Sequence, residues 1–182
     1  MSRALIIVDV QNDYFPGGKM ELSGMDAAAE NCASLLEAFR TGGMPVYHIQ
    51  HLSVQPGATF FIPESEGCEI NSAVTPLAEE PVIRKHFPSA FRDTGLHQAL
   101  SESGIDELVI CGAMTHMCID TTTRAAFDLG YRCDLLEDAC ATRDLEYSGR
   151  TVAAGDVQAA YMAALGAVFA AVDSTGSFLS EG

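Results

Sequence analysis

The chain has 182 residues and a mass of 19.3 kDa, a length that suits one compact domain over residues 1–182. Hydrophobic residues make up 48% and charged residues 19%, so the sequence can bury a core and does not read as disordered. Its 25 acidic against 10 basic side chains give a formal net charge of -15, which repels phosphate backbones and anionic lipid and excludes nucleic-acid and membrane-surface partners as expectations.

Ala4–Val8 (ALIIV) is a continuous apolar run, the pattern of a strand covered on both faces in a parallel sheet. Gly24–Gly43 spaces Ala28, Cys32, Leu35, Leu36 and Phe39 at helical intervals and ends on Gly42-Gly43, a suitable C-cap. Pro45–His51 reads as a second strand. Residues 52–80 hold Pro56, Gly57, Pro63, Gly67 and Pro76 with no sustained period, and a loop of that length is usually functional. Pro81–Arg84 is a short third strand and Asp93–Ser103 a helix. Glu107–Cys111 is the fourth strand, followed by Gly112 and a helix from about His116 to Leu129. Tyr131–Leu136 is the fifth strand, Arg150–Leu165 a long Ala-rich helix, and Ala167–Val172 the last strand. This alternation predicts an α/β fold of βαβ units with right-handed crossovers: three layers, α/β/α, around a six-stranded parallel sheet of Rossmann-like type. Strand order is not readable from the pattern.

The six cysteines are Cys32, Cys68, Cys111, Cys118, Cys133 and Cys140, with no C-x-x-C pair among them. Neither they nor the loops suggest a disulfide framework. The stretch Ala4–Val8 is too short for a signal-peptide core, and Ala159–Val172 falls short of the ~20 residues of a membrane span. A reduced, soluble, cytoplasmic protein is the expectation.

In an open α/β sheet the ligand crevice lies beyond the carboxyl ends of the strands. There the chain carries Asp9 after strand one, Lys85 after strand three, and Cys118 shortly after strand four. A carboxylate at Asp9 follows four branched aliphatic residues and needs a counter-charge, for which Lys85 is suited. The plainer reading is a structural Asp9–Lys85 ion pair, or an Asp9 that binds loop amides over Gln11–Asp13. With Thr115 as N-cap, Cys118 falls in the first helical turn, where the helix end and a nearby lysine favour a thiolate. Lowering a thiol pKa from ~8.5 to ~6.5 takes about 2.7 kcal/mol, within reach of both effects together. First-turn amides also suit an oxyanion. Cys32, Cys111 and Cys133 lie inside apolar segments and read as core; Cys68 lies in a loop, and Cys140 is open.

The segments DVQNDYF (Asp9–Phe15), RKHFPSAF (Arg84–Phe91), GAMTHMCIDTTTRAAFDLGY (Gly112–Tyr131) and DACAT (Asp138–Thr142) resemble the isochorismatase-like cysteine hydrolases. That superfamily includes nicotinamidases and N-carbamoylsarcosine amidase. The resemblance covers nearly the whole chain, with the motifs in the family's order. It implies a catalytic triad of Asp9, Lys85 and Cys118, and an oxyanion hole from the backbone amides of Met114 and Cys118. It also implies a non-proline cis peptide between Ala113 and Met114. The implied chemistry is cleavage of a non-peptide C–N bond, amide or carbamoyl-type, through a Cys118 thioester, with Asp9 moving the proton and no cofactor.

Two departures shape the expectation. Nicotinamidases of the superfamily hold a metal with an Asp and histidines after strand two, whereas this chain reads His48-Ile49-Gln50-His51-Leu52-Ser53. His48 and His51 are three apart, and odd spacing on a strand sends them to opposite faces. No metal, and no nicotinamide as natural substrate, is therefore expected. Siderophore-type isochorismatases generally lack the nucleophilic cysteine, so retention of Cys118 favours acyl transfer over vinyl-ether hydrolysis with Asp9 as acid. A redox-sensing thiol protein is the rival from another class; a nucleotide- or flavin-binding α/β module lacks support, with no G-x-G-x-x-G or P-loop after strand one. Gln11, Tyr14, Phe15, His51, Phe60, Phe61 and His116 are the pocket candidates for a small-molecule substrate, with packing as their plain alternative. A homo-oligomer is expected, as these hydrolases commonly are.

Overall fold

The fold is taken from a computed structural model, which describes residues 2–181. Its elements are β1 (Arg3–Val8), α1 (Met25–Thr41), β2 (Val46–His51), β3 (Val82–Lys85), α2 (Leu96–Glu102), β4 (Glu107–Ala113), α3 (Asp120–Asp128) and β5 (Arg132–Ala141). A hairpin of β6 (Leu145–Tyr147) and β7 (Arg150–Val152) follows, then α4 (Ala154–Gly166), β8 (Ala171–Asp173) and α5 (Thr175–Glu181).

Six strands form one parallel sheet in the order β3-β2-β1-β4-β5-β8. The chain builds outward from β1 to β2 and β3, then returns to the other side of β1 with β4. The switch point therefore lies between β1 and β4, where a crevice opens beyond the strand ends. Asp9 leaves one of these two strands and Cys118 follows the other.

Side chains alternate along β1 into two cores. Leu5 and Ile7 pack with Cys32, Leu35 and Phe39 of α1, while Ala4, Ile6 and Val8 pack with Leu96 and Leu100 of α2 and Leu165 of α4. Full burial of each branched aliphatic contributes roughly 1.5–3 kcal/mol, so the central strand is held from both faces. The α1 helix ends as its glycines suggest: Gly43 takes a left-handed φ of +63°, and Met44 N–H donates back to Phe39 O at 2.9 Å.

The structure corrects four expected elements. The helix expected from Arg150 begins at Ala154, because residues 145–152 form a hairpin. Tyr147 pairs with Arg150, and the two residues between them, Ser148 and Gly149, both have positive φ (50° and 73°), the geometry of a tight hairpin turn. The Asp144 carboxylate then accepts from Ala154 N–H at 2.8 Å at the start of α4. The last strand is shorter and later than expected, and α5 follows it. β5 runs on to Ala141 through a bulge, so Cys140 pairs with Gly112. The segment after β4 opens with a π-helical turn, Thr115–Ile119, before α3.

Candidate active site

Asp9 turns out of β1 at a φ of +51°, a left-handed conformation that Asp tolerates better than most residues. Its N–H donates to Ile49 O at 3.0 Å and its carbonyl accepts from Gln11 N–H at 2.9 Å, anchoring the turn on both sides. Lys85, the last residue of β3, reaches across the end of β2. Its Nζ lies 2.7 Å from Asp9 Oδ2, 2.9 Å from His51 Nδ1, 3.2 Å from Cys118 Sγ and 3.2 Å from Phe87 O. Asp9 and Lys85 are both buried, so this is a desolvated ion pair with the thiol as its neighbour. Burial works against the ammonium, but Asp9 and Cys118 together outweigh it and the Lys85 pKa is raised.

The thiol behaves differently from the sequence-based expectation. Cys118 is 5% exposed, and burial, followed by the negative charge of Asp9, pushes its pKa well up; the pull of Lys85 in the other direction is smaller. A resting thiolate at neutral pH is therefore overturned: the site holds a protonated thiol beside a carboxylate. The expected Thr115 cap is also absent. The turn before α3 has no side-chain cap, and Thr115 Oγ1 lies instead 2.6 Å from Gln158 Oε1 and 3.2 Å from Ala141 O. Met114 O accepts from both Met117 and Ile119 N–H, at 3.0 and 3.2 Å, within the widened turn. Alkylation of Cys118 by iodoacetamide is accordingly expected to rise about tenfold per pH unit from pH 7 to 9. A plateau already below pH 7, read by peptide mass spectrometry, would contradict the raised thiol.

Above Cys118 opens a cavity of about 540 Å³. Tyr14, His51 and Phe60 line it as expected, and so does Met114. Phe87, Pro88, Met117, Ser53 and Gln55 line it too and were not singled out from sequence. Phe87 had a signal, lying two residues after Lys85 inside a motif; Arg92 stacks its guanidinium on the Phe87 ring at 3.6 Å.

Four candidates do not line this cavity. Gln11 is fully buried, and both ends of its amide are used by backbone, with His51 N–H, His51 O and Cys68 O as partners. Phe61 is buried behind the wall, at 4.6 Å between ring centroids from Tyr14 and 4.9 Å from Phe60. Phe15 lines a separate cavity with Asn12 and Lys19. His116 turns toward β5, its Nδ1 2.7 Å from Thr142 Oγ1. In each case the chain neighbourhood suggested the pocket, but the backbone direction sends the side chain elsewhere.

His48 and His51 do face apart on β2: His48 Nε2 lies 2.9 Å from Glu80 Oε2, away from the site. Asp9, His51 and Cys118 each offer one donor atom within 4.8 Å of the others, a spacing that a metal ion accepts. Lys85 Nζ contacts these same three groups, so a metal there competes with an ammonium already seated among them. The peptide between Ala113 and Met114 is cis, as the resemblance implies.

A family model for the isochorismatase domain matches residues 3–170. The chain belongs to the isochorismatase family. Among relatives in that family, it is 50% identical over 179 residues to YddQ of Bacillus subtilis, an uncharacterized isochorismatase family protein, covering 98% of this chain and 99% of the other. It is 30% identical over 179 residues to a nicotinamidase of Acinetobacter baylyi, covering 80% and 84%. The crystal structure of an isochorismatase from Pseudomonas putida superposes with a TM-score of 0.90 at 41% identity, covering 96% and 89%. This isochorismatase-family hydrolase has no helix among its described residues long and apolar enough to cross a membrane.

Proposed function

We propose that this isochorismatase-family chain is a cysteine hydrolase that cleaves an amide or carbamoyl-type C–N bond of a small molecule through a thioester on Cys118. The observation that carries this reading is the buried Lys85 ammonium, 2.7 Å from Asp9 Oδ2 and 3.2 Å from the Sγ of Cys118, which lines the cavity. Likeness to a nicotinamidase supports an amide bond in particular.

The resting thiol gives up its proton as it attacks. Asp9 Oδ1 is buried without a hydrogen-bond partner and is the oxygen suited to take that proton. Sγ bonds to the substrate carbonyl carbon, and the oxyanion draws on the backbone N–H groups of Met114 and Cys118. Asp9 then returns the proton to the departing nitrogen, the C–N bond breaks and the carbonyl re-forms as a thioester. Water, deprotonated by Asp9, hydrolyses the thioester and restores the thiol. Lys85 keeps Asp9 charged between these transfers and stabilises the sulfur's developing charge. Because the ammonium occupies the donor cluster, nicotinamide bound through a metal is not the substrate proposed.

Cys118→Ala is expected to lower turnover of small amides and carbamoyl compounds by ~10,000-fold or more, with the wild-type thioester trapped by mass spectrometry. A variant that still hydrolyses isochorismate, while amides are untouched by either protein, would instead favour vinyl-ether hydrolysis with Asp9 as acid. A reversible Cys118 disulfide under peroxide, with no turnover, would favour the redox sensor.

A further inference from the structure

His51 is held more firmly than a cavity wall requires. Its backbone N–H donates to Gln11 Oε1 at 2.8 Å and its carbonyl accepts from Gln11 Nε2 at 2.9 Å, a two-point clamp by a fully buried amide. Phe61, also fully buried, packs its ring 5.9 Å from the imidazole. In the sheet His51 pairs with Lys85, whose Nζ lies 2.9 Å from Nδ1. An ammonium only donates, so Nδ1 accepts and the neutral ring carries its proton on Nε2. Burial and the Lys85 charge lower the His51 pKa to about 4, and the charged or titratable groups facing it are Lys85, Asp9 and His86. Nε2 has no partner among the described residues, while 12% of the side chain stays open in the cavity that also exposes Cys118.

We infer that His51 determines specificity as a fixed donor, its Nε2–H binding an acceptor atom that the substrate carries beside the scissile carbonyl. This deepens the Cys118 hydrolase reading and rests on it. The acceptor is an ether oxygen, a second carbonyl or a ring nitrogen close to the reacting carbon. A substrate without it strips water from Nε2–H and offers nothing in return, and that asymmetry is what discriminates. Lys85 does not take this role, because its N–H groups already face four acceptors within the protein.

The first test needs no substrate. Nitrogen-15 NMR of histidine-labelled protein, with the His51 signals assigned by their loss in His51→Gln, is expected to show a protonated Nε2 and bare Nδ1 from about pH 5.5 to 8. A protonated Nδ1 or an imidazolium at pH 7 overturns the inference. The second test uses isosteric amides: butanamide against methoxyacetamide, and benzamide against pyridine-2-carboxamide. Preference is read as a ratio of kcat/KM or, where turnover is too slow, of protection of Cys118 from iodoacetamide. Wild-type preference for the acceptor-bearing member of at least one pair should exceed that of His51→Leu by about tenfold. His51→Gln, which keeps an N–H donor, should retain part of it; His51→Phe serves if His51→Leu does not fold. Equal ratios in wild type and His51→Leu, or no acceptor preference in wild type, overturn the inference. Amide hydrolysis that survives Cys118→Ala removes the thioester reading instead, and the NMR result then judges His51 by itself.

Discussion

Lys85→Met is expected to destabilise the protein by about 3–5 kcal/mol and to abolish measurable turnover. Methionine fills nearly the same volume but leaves the Asp9 carboxylate buried without its cation, and strips Nδ1 of His51 and the Phe87 carbonyl of their donor. Such a loss reflects an uncompensated buried charge rather than the net worth of the pair. Adding Asp9→Asn, which removes that charge in a residue type that tolerates left-handed backbone, should therefore recover a large part of the stability, about 2 kcal/mol or more. Activity should stay lost, since neither the base nor the cation is present. Urea midpoints and amide turnover measured across the four proteins of the cycle decide it. A double variant no more stable than Lys85→Met would show that the two groups do not act as a buried ion pair.

Gly112→Ala should be nearly as damaging through geometry alone. Gly112 has a φ of +118°, and a Cβ built there would lie 2.0 Å from Val8 O and 2.8 Å from Val8 C and N. These are backbone atoms of β1, directly before Asp9, so nothing flexible yields. Either β1 moves or the end of β4 does, at a cost of about 2–5 kcal/mol. A displacement near 1 Å would also part Asp9 from Cys118, lowering kcat/KM by about 100-fold or more. Gly95→Ala is the control, with φ at -86° and nothing within 4 Å of the added carbon. Thermal melts and turnover that match wild type in Gly112→Ala would refute the close β1–β4 approach as the device that sets the site.

Several parts of this molecule were legible before any coordinates. The run ALIIV is a buried central strand because only a two-sided environment tolerates four consecutive branched aliphatic residues. Asp9, Lys85 and Cys118 stand out for a related reason, each being a reactive side chain set just past an apolar strand or a glycine turn. The opposite facing of His48 and His51 follows from strand periodicity. The hairpin at Ser148-Gly149 also had a local signal, two turn-forming residues in a row, which the helical pattern of the alanines beyond it obscured.

Other features had no local cause to read. Whether Gln11 points into the pocket or clamps His51 depends on the backbone turn after β1 and on a strand about forty residues away. The charge state of Cys118 is the sharpest case. Its place near a helix start argues locally for a thiolate, whereas burial and a carboxylate brought in from the end of β1 push the thiol up by more than Lys85, brought in from β3, pulls it down.

Sequence alone therefore determined the α/β class, the buried strands and the three polar side chains of the candidate site, because periodicity and residue chemistry act over a few neighbours. Only the tertiary structure decided the order β3-β2-β1-β4-β5-β8, the convergence of three side chains and one backbone carbonyl on one ammonium, and the upward push on the thiol. These depend on distance and desolvation between segments far apart in the chain, and neither is defined until the sheet has closed around them.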